Sequence, residues 1–269
     1  MNIFKFIESF TDENLISSKG SRRESFSQFG KLGKNFALAS IPFGLAAMST
    51  KGYAADINPT PSTPVGALQL ALTLEYLEDE FYQMGLSSGV IPASENAGRD
   101  LKVFQQIAQH ESDHVAYLIT GLGGPSSANF VAKPTFDFTV GGLFDPFNDY
   151  QQFLALAQAF EDTGVRAYKG QAVNLISEPA LLTAALRIHS VEARHASEVR
   201  RLRGQKGWII GNDRGGLPVQ AQGTYDGEEV TDQAGYNTGT LFGAAAGTES
   251  FDEPLTTVQS VNIANLFIV

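Results

Sequence analysis

Twice in this chain the apolar stripe of a helix is broken by a glutamate and a histidine three residues apart, and the repetition limits what the chain can fold into. In VFQQIAQHESDHVAYL the side chains of Phe104, Ile107, Glu111, His114 and Leu118 follow steps of three and four, the spacing that keeps residues on one helix face. Leu181, Ala185, Ile188, Glu192, His195 and Val199 lay down the same stripe further on. A carboxylate on a face destined for a core is costly unless paired, and several buried carboxylates repel one another. Water or a bound cation resolves that conflict. Glu and His at i and i+3 lie about one turn apart, so both reach a single ion. The chain has four histidines, His110, His114, His189 and His195, and all lie in these two segments.

Two further stripes each carry a lone glutamate. From Pro64, with Thr63 suited to the N-cap, Leu68, Leu72, Glu75 and Tyr82 line one face. Glu78 and Asp79 follow one turn on and read as a solvated acidic flank, with a share in the site for one of them as the alternative. Leu154, Ala157, Glu161 and Tyr168 line the other, with the same seven-residue step from Glu to Tyr. Both tyrosines read as aromatic packing, with a hydrogen bond to a glutamate as the alternative. Residues 87–98 are loop-forming. The predicted helices begin at Pro64 and then cover about 99–120, 149–177 and 179–204. In antiparallel hairpins Glu75 comes level with Glu111, and Glu161 with Glu192. Residues 121–147 are too long for a tight hairpin and too apolar for a free linker. They read as a crossover along the outside of a bundle, with a short extended piece at 136–140.

The order Glu then E-x-x-H, twice, resembles the ferritin-like di-metal carboxylate proteins. The resemblance covers about residues 64–204 and implies an all-α, ferritin-like four-helix bundle of two antiparallel hairpins joined by a long crossover. It implies Glu75, Glu111, His114, Glu161, Glu192 and His195 as the ligands of two metal ions. LTLEYLEDEFY, HESDH, VEARH and FDEPLT are similar to segments of exported ferritin-like proteins that include plant desiccation-related proteins. The charges agree, since four carboxylates balance two divalent ions and leave a neutral site on an apolar face. Oxygen and imidazole donors without sulfur favour two iron or two manganese ions, with zinc admitted on affinity grounds. Cysteine is absent, which excludes disulfides, thiolate metal sites and a cysteine nucleophile. His189, one turn before Glu192, is expected to support the site, and His110 to be a surface or core residue.

The two ends of the chain differ from its centre. Residues 1–55 hold seven Lys/Arg against four Asp/Glu, whereas residues 56–269 hold twelve against twenty-five. Arg22 and Arg23, a mildly apolar stretch over 36–48 and Gly52-Tyr53-Ala54 have the order of a twin-arginine-like export leader cut before Ala55. A basic arm that is never removed is the alternative. The leader reading puts the mature protein in the periplasm or outside the cell, off the membrane. The formal charge of −10 argues against nucleic acid as a partner. Residues 56–204 form the expected bundle and 205–269 a loop-rich extension. Asp252 or Pro254 is expected to open a last short helix that docks Val258, Val261, Ile263, Leu266, Phe267 and Ile268 on the bundle.

The resemblance implies three kinds of function. One is redox chemistry of a di-iron or di-manganese centre with oxygen or peroxide, ferroxidase- or peroxidase-like. Another is a metal-binding stress or desiccation-related protein without turnover. Iron storage ranks last, because a long apolar crossover and an extended tail are not what a compact cage subunit needs. A homodimer through an outer helix face is a further expectation.

Overall fold

The computed structural model describes residues 56–93 and 98–269; the leader expected over residues 1–55 lies outside the described residues. Helix α1 (Pro64–Ser88) begins where the Thr63 hydroxyl accepts the Gly66 N–H at 3.1 Å, with Pro64 in the first turn. It ends at Gly89, whose φ of 76° is the left-handed cap that glycine adopts without strain. α2 (Arg99–Gly121), α3 (Tyr150–Gln171) and α4 (Pro179–Leu202) follow, with the Asp149 carboxylate capping α3. α1 packs on α2 and α3 on α4, α1 also lies along α3, and α2 meets α4. This is the all-α, ferritin-like bundle that the sequence implies.

The third helix is shorter than its sequence pattern predicts. It stops at Gln171 and tightens into a 3-10 turn over Ala172–Leu175. Val173 and Ile176 are exposed, so no packing supports another α-turn. The Asn174 side chain bonds that of Gln171, which in turn donates to Thr257, and local contacts of this kind compete with helix propagation.

The crossover binds its rings into the core. Phe81 stacks on Phe153 at 4.8 Å and meets Phe138 at 5.3 Å and Phe147 at 5.7 Å. The expected extended piece is present as a single antiparallel bridge, Phe136 to Ile268, so its partner is the end of the chain itself. Asp137 N–H donates to the Phe267 carbonyl at 2.7 Å and Val269 N–H to that of Thr135 at 3.0 Å.

Residues 203–269 are loop-rich, with a hairpin of β1 (Asp232–Gln233) and β2 (Tyr236–Asn237) and short helices α5 (Gly239–Phe242), α6 (Ala244–Thr248) and α7 (Thr257–Ala264). α7 opens later than Asp252 or Pro254, because Thr256 and Gln259 form a reciprocal capping box. Val261, Phe267 and Ile268 are buried as expected, whereas Val258 is 53% exposed.

This extension covers the outer face of α3, which is why every residue of α3 from Phe153 to Tyr168 is buried. Arg166, 1% exposed, is the anchor. Its Nε lies 2.7 Å from Glu228 Oε1 and donates to the Glu253 carbonyl at 2.7 Å, and its Nη atoms donate to the carbonyls of Thr224 and Asp226. Beside it Arg200 of α4 pairs with Asp162, which also accepts from the Tyr225 hydroxyl at 2.7 Å. Arg166→Ala leaves the buried Glu228 carboxylate without its counter-charge, with only the Glu253 N–H still donating to it, and several carbonyls without their donor, at a cost of about 3–5 kcal/mol. Residues 205–269 of that variant become protease-sensitive before the bundle melts; proteolysis no faster than in the parent chain would contradict this anchor. Among the described residues no helix is long and apolar enough to cross a membrane.

Candidate metal centre

Each helix contributes at mid-length. α1 presents Glu75, α2 Glu111 and His114, α3 Glu161, and α4 Glu192 and His195. All four glutamates are fully buried, His195 is buried, and His114 is partly exposed. The structure brings all six together.

They form two donor groups that share two members. His114 Nδ1 lies 3.2 Å from Glu75 Oε2, 3.1 Å from Glu111 Oε2 and 3.1 Å from Glu192 Oε1. His195 Nδ1 lies 2.9 Å from Glu111 Oε1, 3.3 Å from Glu161 Oε2 and 3.4 Å from Glu192 Oε2. Glu111 and Glu192 therefore turn one oxygen to each group, while Glu75 and Glu161 serve one group each. Each set, three carboxylate oxygens and one imidazole nitrogen, could hold a metal ion.

The hydrogen bonding fits that use. Glu111 Oε1, Glu161 Oε2, both Glu192 oxygens and His195 Nδ1 are buried with no hydrogen-bond partner. Each such atom costs about 1–3 kcal/mol when left unsatisfied, and cations within the two groups satisfy them together. The outward oxygen of each terminal glutamate is already held. Tyr82 of α1 donates to Glu161 Oε1 of α3, and Tyr168 of α3 to Glu75 Oε1 of α1, both at 2.5 Å. The equal Glu-to-Tyr steps are thus read across antiparallel helices, and the tyrosines are hydrogen-bond donors as well as packing rings.

The charges are strongly coupled. Burial, joined by repulsion from Glu192, lifts the Glu111 carboxyl well above its usual range. Burial raises Glu161 to about 7 against the pull of His195. Burial acts on Glu192 in the same sense, yet the close imidazoles of His114 and His195 bring it down to about 2. For the imidazoles burial opposes the charge, but the carboxylates prevail: His114 is pushed up to about 12, and His195 far above its usual range. In the metal-free protein, protons on the two histidines are the counter-charge.

Two neighbours differ from the sequence reading. Glu78 is no solvated flank. It is 2% exposed, and burial together with the charges of Glu161, Glu192, Glu111 and Glu75 raises its pKa well above the carboxylate range. Gly164 makes room for it, since a Cβ there would lie 3.2 Å from Glu78 Oε1 and 3.7 Å from Glu192 Cγ. Asp79 is partly exposed and accepts from the Ser112 hydroxyl at 2.6 Å. The histidine expectations are reversed. His110 Nδ1 lies 2.9 Å from His195 Nε2, the rings stack at 5.2 Å, and His110 Nε2 lies 2.9 Å from the Gln106 side-chain amide. His189 bonds the Val165 backbone instead, and its Nδ1 has no partner.

A cation on His195 Nδ1 fixes the remaining proton on Nε2, which donates to His110 Nδ1. His110→Phe removes that acceptor and weakens zinc binding about 10–100-fold, whereas His110→Gln retains an acceptor and most of the affinity. Calorimetric titration separates the two; equal losses in both variants would reduce His110 to a packing residue.

A family model for the ferritin-like domain matches residues 63–205, more than half of the chain. Among curated proteins no match to the chain is found. With the match spanning both helix hairpins, the chain belongs to the ferritin-like domain family.

Proposed function

We propose that the chain holds two iron or two manganese ions in its four-helix core and carries out redox chemistry with dioxygen or peroxide. The observation that carries this reading is that Glu111 and Glu192 each turn one oxygen to both donor groups. Glu75 and His114 complete one set, Glu161 and His195 the other. When bound, such a pair supplies electrons to an oxidant and stabilises the charge that develops on it. The chain's own part is to hold the donors still in a dry core. Tyr82 and Tyr168 fix the terminal carboxylates, and Glu78 lies buried beside Glu192. Hydrogen bonds from His195 through His110 to exposed Gln106 give protons a short path to the surface. The basic, twin-arginine-like order of residues 1–55 supports export of this activity from the cytoplasm.

The test is elemental analysis of the protein after reconstitution, with the oxidant consumed after reduction recorded on the same sample. Two iron or manganese ions per chain with consumption is the expected result. Two ions without consumption would favour a metal-binding stress protein of the desiccation-related kind, and loading far beyond two ions would favour storage. No metal at all would overturn the reading.

A further inference from the structure

At one end of the core, formed by the first halves of α1 and α4 and the last turns of α2 and α3, lies an apolar cavity of about 20 Å3. Roughly 10–15 Å3 accommodates one water-sized molecule, so the space takes a diatomic. It exists because Ala71 of α1 and Ala185 of α4 stand where leucine would fill the gap. None of the six donors lines it, but its inner wall is built from their neighbours. Leu74 precedes Glu75, Leu118 lies one turn beyond His114, Ile188 one turn before Glu192, and the Tyr168 hydroxyl is on Glu75 itself. Tyr117, 43% exposed, closes the outer side.

The lining decides between oxidants. Of its hydrogen-bonding side chains, Tyr168 is committed to Glu75, that of Gln171 to Thr257 and Asn174, and Tyr117 stands at the exposed outer side. Peroxide or water entering the inner part would give up hydrogen bonds with solvent and find no replacement there, which disfavours both. Dioxygen has none to lose, and a dry apolar cavity of this kind takes up apolar gases.

We infer that this cavity is a dioxygen site, filled from the Tyr117 side and bordering the donor group of Glu75 and His114 through Tyr168. The inference rests on the redox reading above and selects dioxygen over peroxide as its oxidant.

Xenon is the probe. In the metal-free full chain under xenon pressure, one atom is expected between Ala71, Leu118 and Ile188, and no xenon there would overturn the site. Ala71→Leu, or the smaller Ala185→Val should the first fail to fold, is expected to expel xenon. In the metal-loaded protein the same variant lowers the ratio of dioxygen-driven to peroxide-driven oxidation about tenfold. Equal losses with both oxidants, or an unchanged ratio once xenon is expelled, would overturn the route. Should the loaded parent protein consume neither oxidant, it is the redox reading that fails, and xenon in the metal-free chain still decides whether the cavity is a gas site.

Discussion

If the core holds the proposed metal pair, replacing Glu111 and Glu192 together with alanine is expected to take bound metal from two ions per chain to none while the four helices persist. Each of these carboxylates gives an oxygen to both donor groups, so the double change removes two of four donors from each set at once. Glu75→Ala, by contrast, touches the His114 group only, and one ion should stay in the His195 group. The comparison separates a shared pair from two independent sites. Helical content survives because the core around the donors, with Phe81, Phe104, Phe153 and Leu156 buried, owes nothing to the two glutamates. Glu111→Gln with Glu192→Gln guards against a packing defect, since it keeps the volume and removes the charge. Metal-to-protein ratio and far-ultraviolet circular dichroism are the measurements. Retention of both ions in either double variant would sink the donor assignment, and loss of both ions in Glu75→Ala would sink the two-group geometry.

That these six side chains meet in the core was legible because period and order converged. Four helical stripes each carried a glutamate at a place that packing disfavours, and two added a histidine one turn on. Glu78 escaped because it also lies one turn from Glu75, and a stripe argument treats a residue at its edge as facing solvent. α1 has little solvent edge, with the crossover and the end of the chain packed over it. Asp162 and Arg166 escaped for the same reason on α3. Their partners Tyr225, Glu228 and Glu253 come from far downstream and carry no periodic signal. The histidines were reversed because α2 meets α4 at His110, a contact that hairpin register within each pair does not disclose. The start of α7 was written in the sequence, as Thr256 followed three residues on by Gln259, but among weakly periodic loops that signal has little to stand against.

Metal loading should invert the dependence of stability on pH. In the metal-free protein His114, His195, Glu161, Glu111 and Glu78 all bind protons more tightly folded than unfolded. Wherever the folded state holds more protons, stability falls as pH rises. For the carboxylates that decline starts near the unfolded pKa of about 4.3 and, for Glu161, runs to about 7. For the histidines the contribution is fully present below about 6.5 and drains away as pH climbs towards the folded value of about 12 at His114. Glu192, held at about 2, acts in the opposite sense, but only as pH falls from about 4.3 towards 2. The metal-free chain is therefore more stable at about pH 5 than at about pH 8. Cations need those same nitrogens and oxygens deprotonated, so affinity rises with pH and binding releases protons. At a free-metal concentration about 100 times Kd each site adds about 2.7 kcal/mol, and at about 2–4 °C per kcal/mol the pair raises Tm by roughly 10–20 °C near pH 8 but by little near pH 5. Thermal melts at the two pH values with and without zinc, and titrations in two buffers of different ionisation enthalpy, measure both halves of the cycle. A metal-free Tm higher at pH 8 than at pH 5 would remove the protonated histidines from this account. Zinc uptake with no proton release would remove His114 and His195 as donors, because neither Nδ1 can hold a proton and a metal at once.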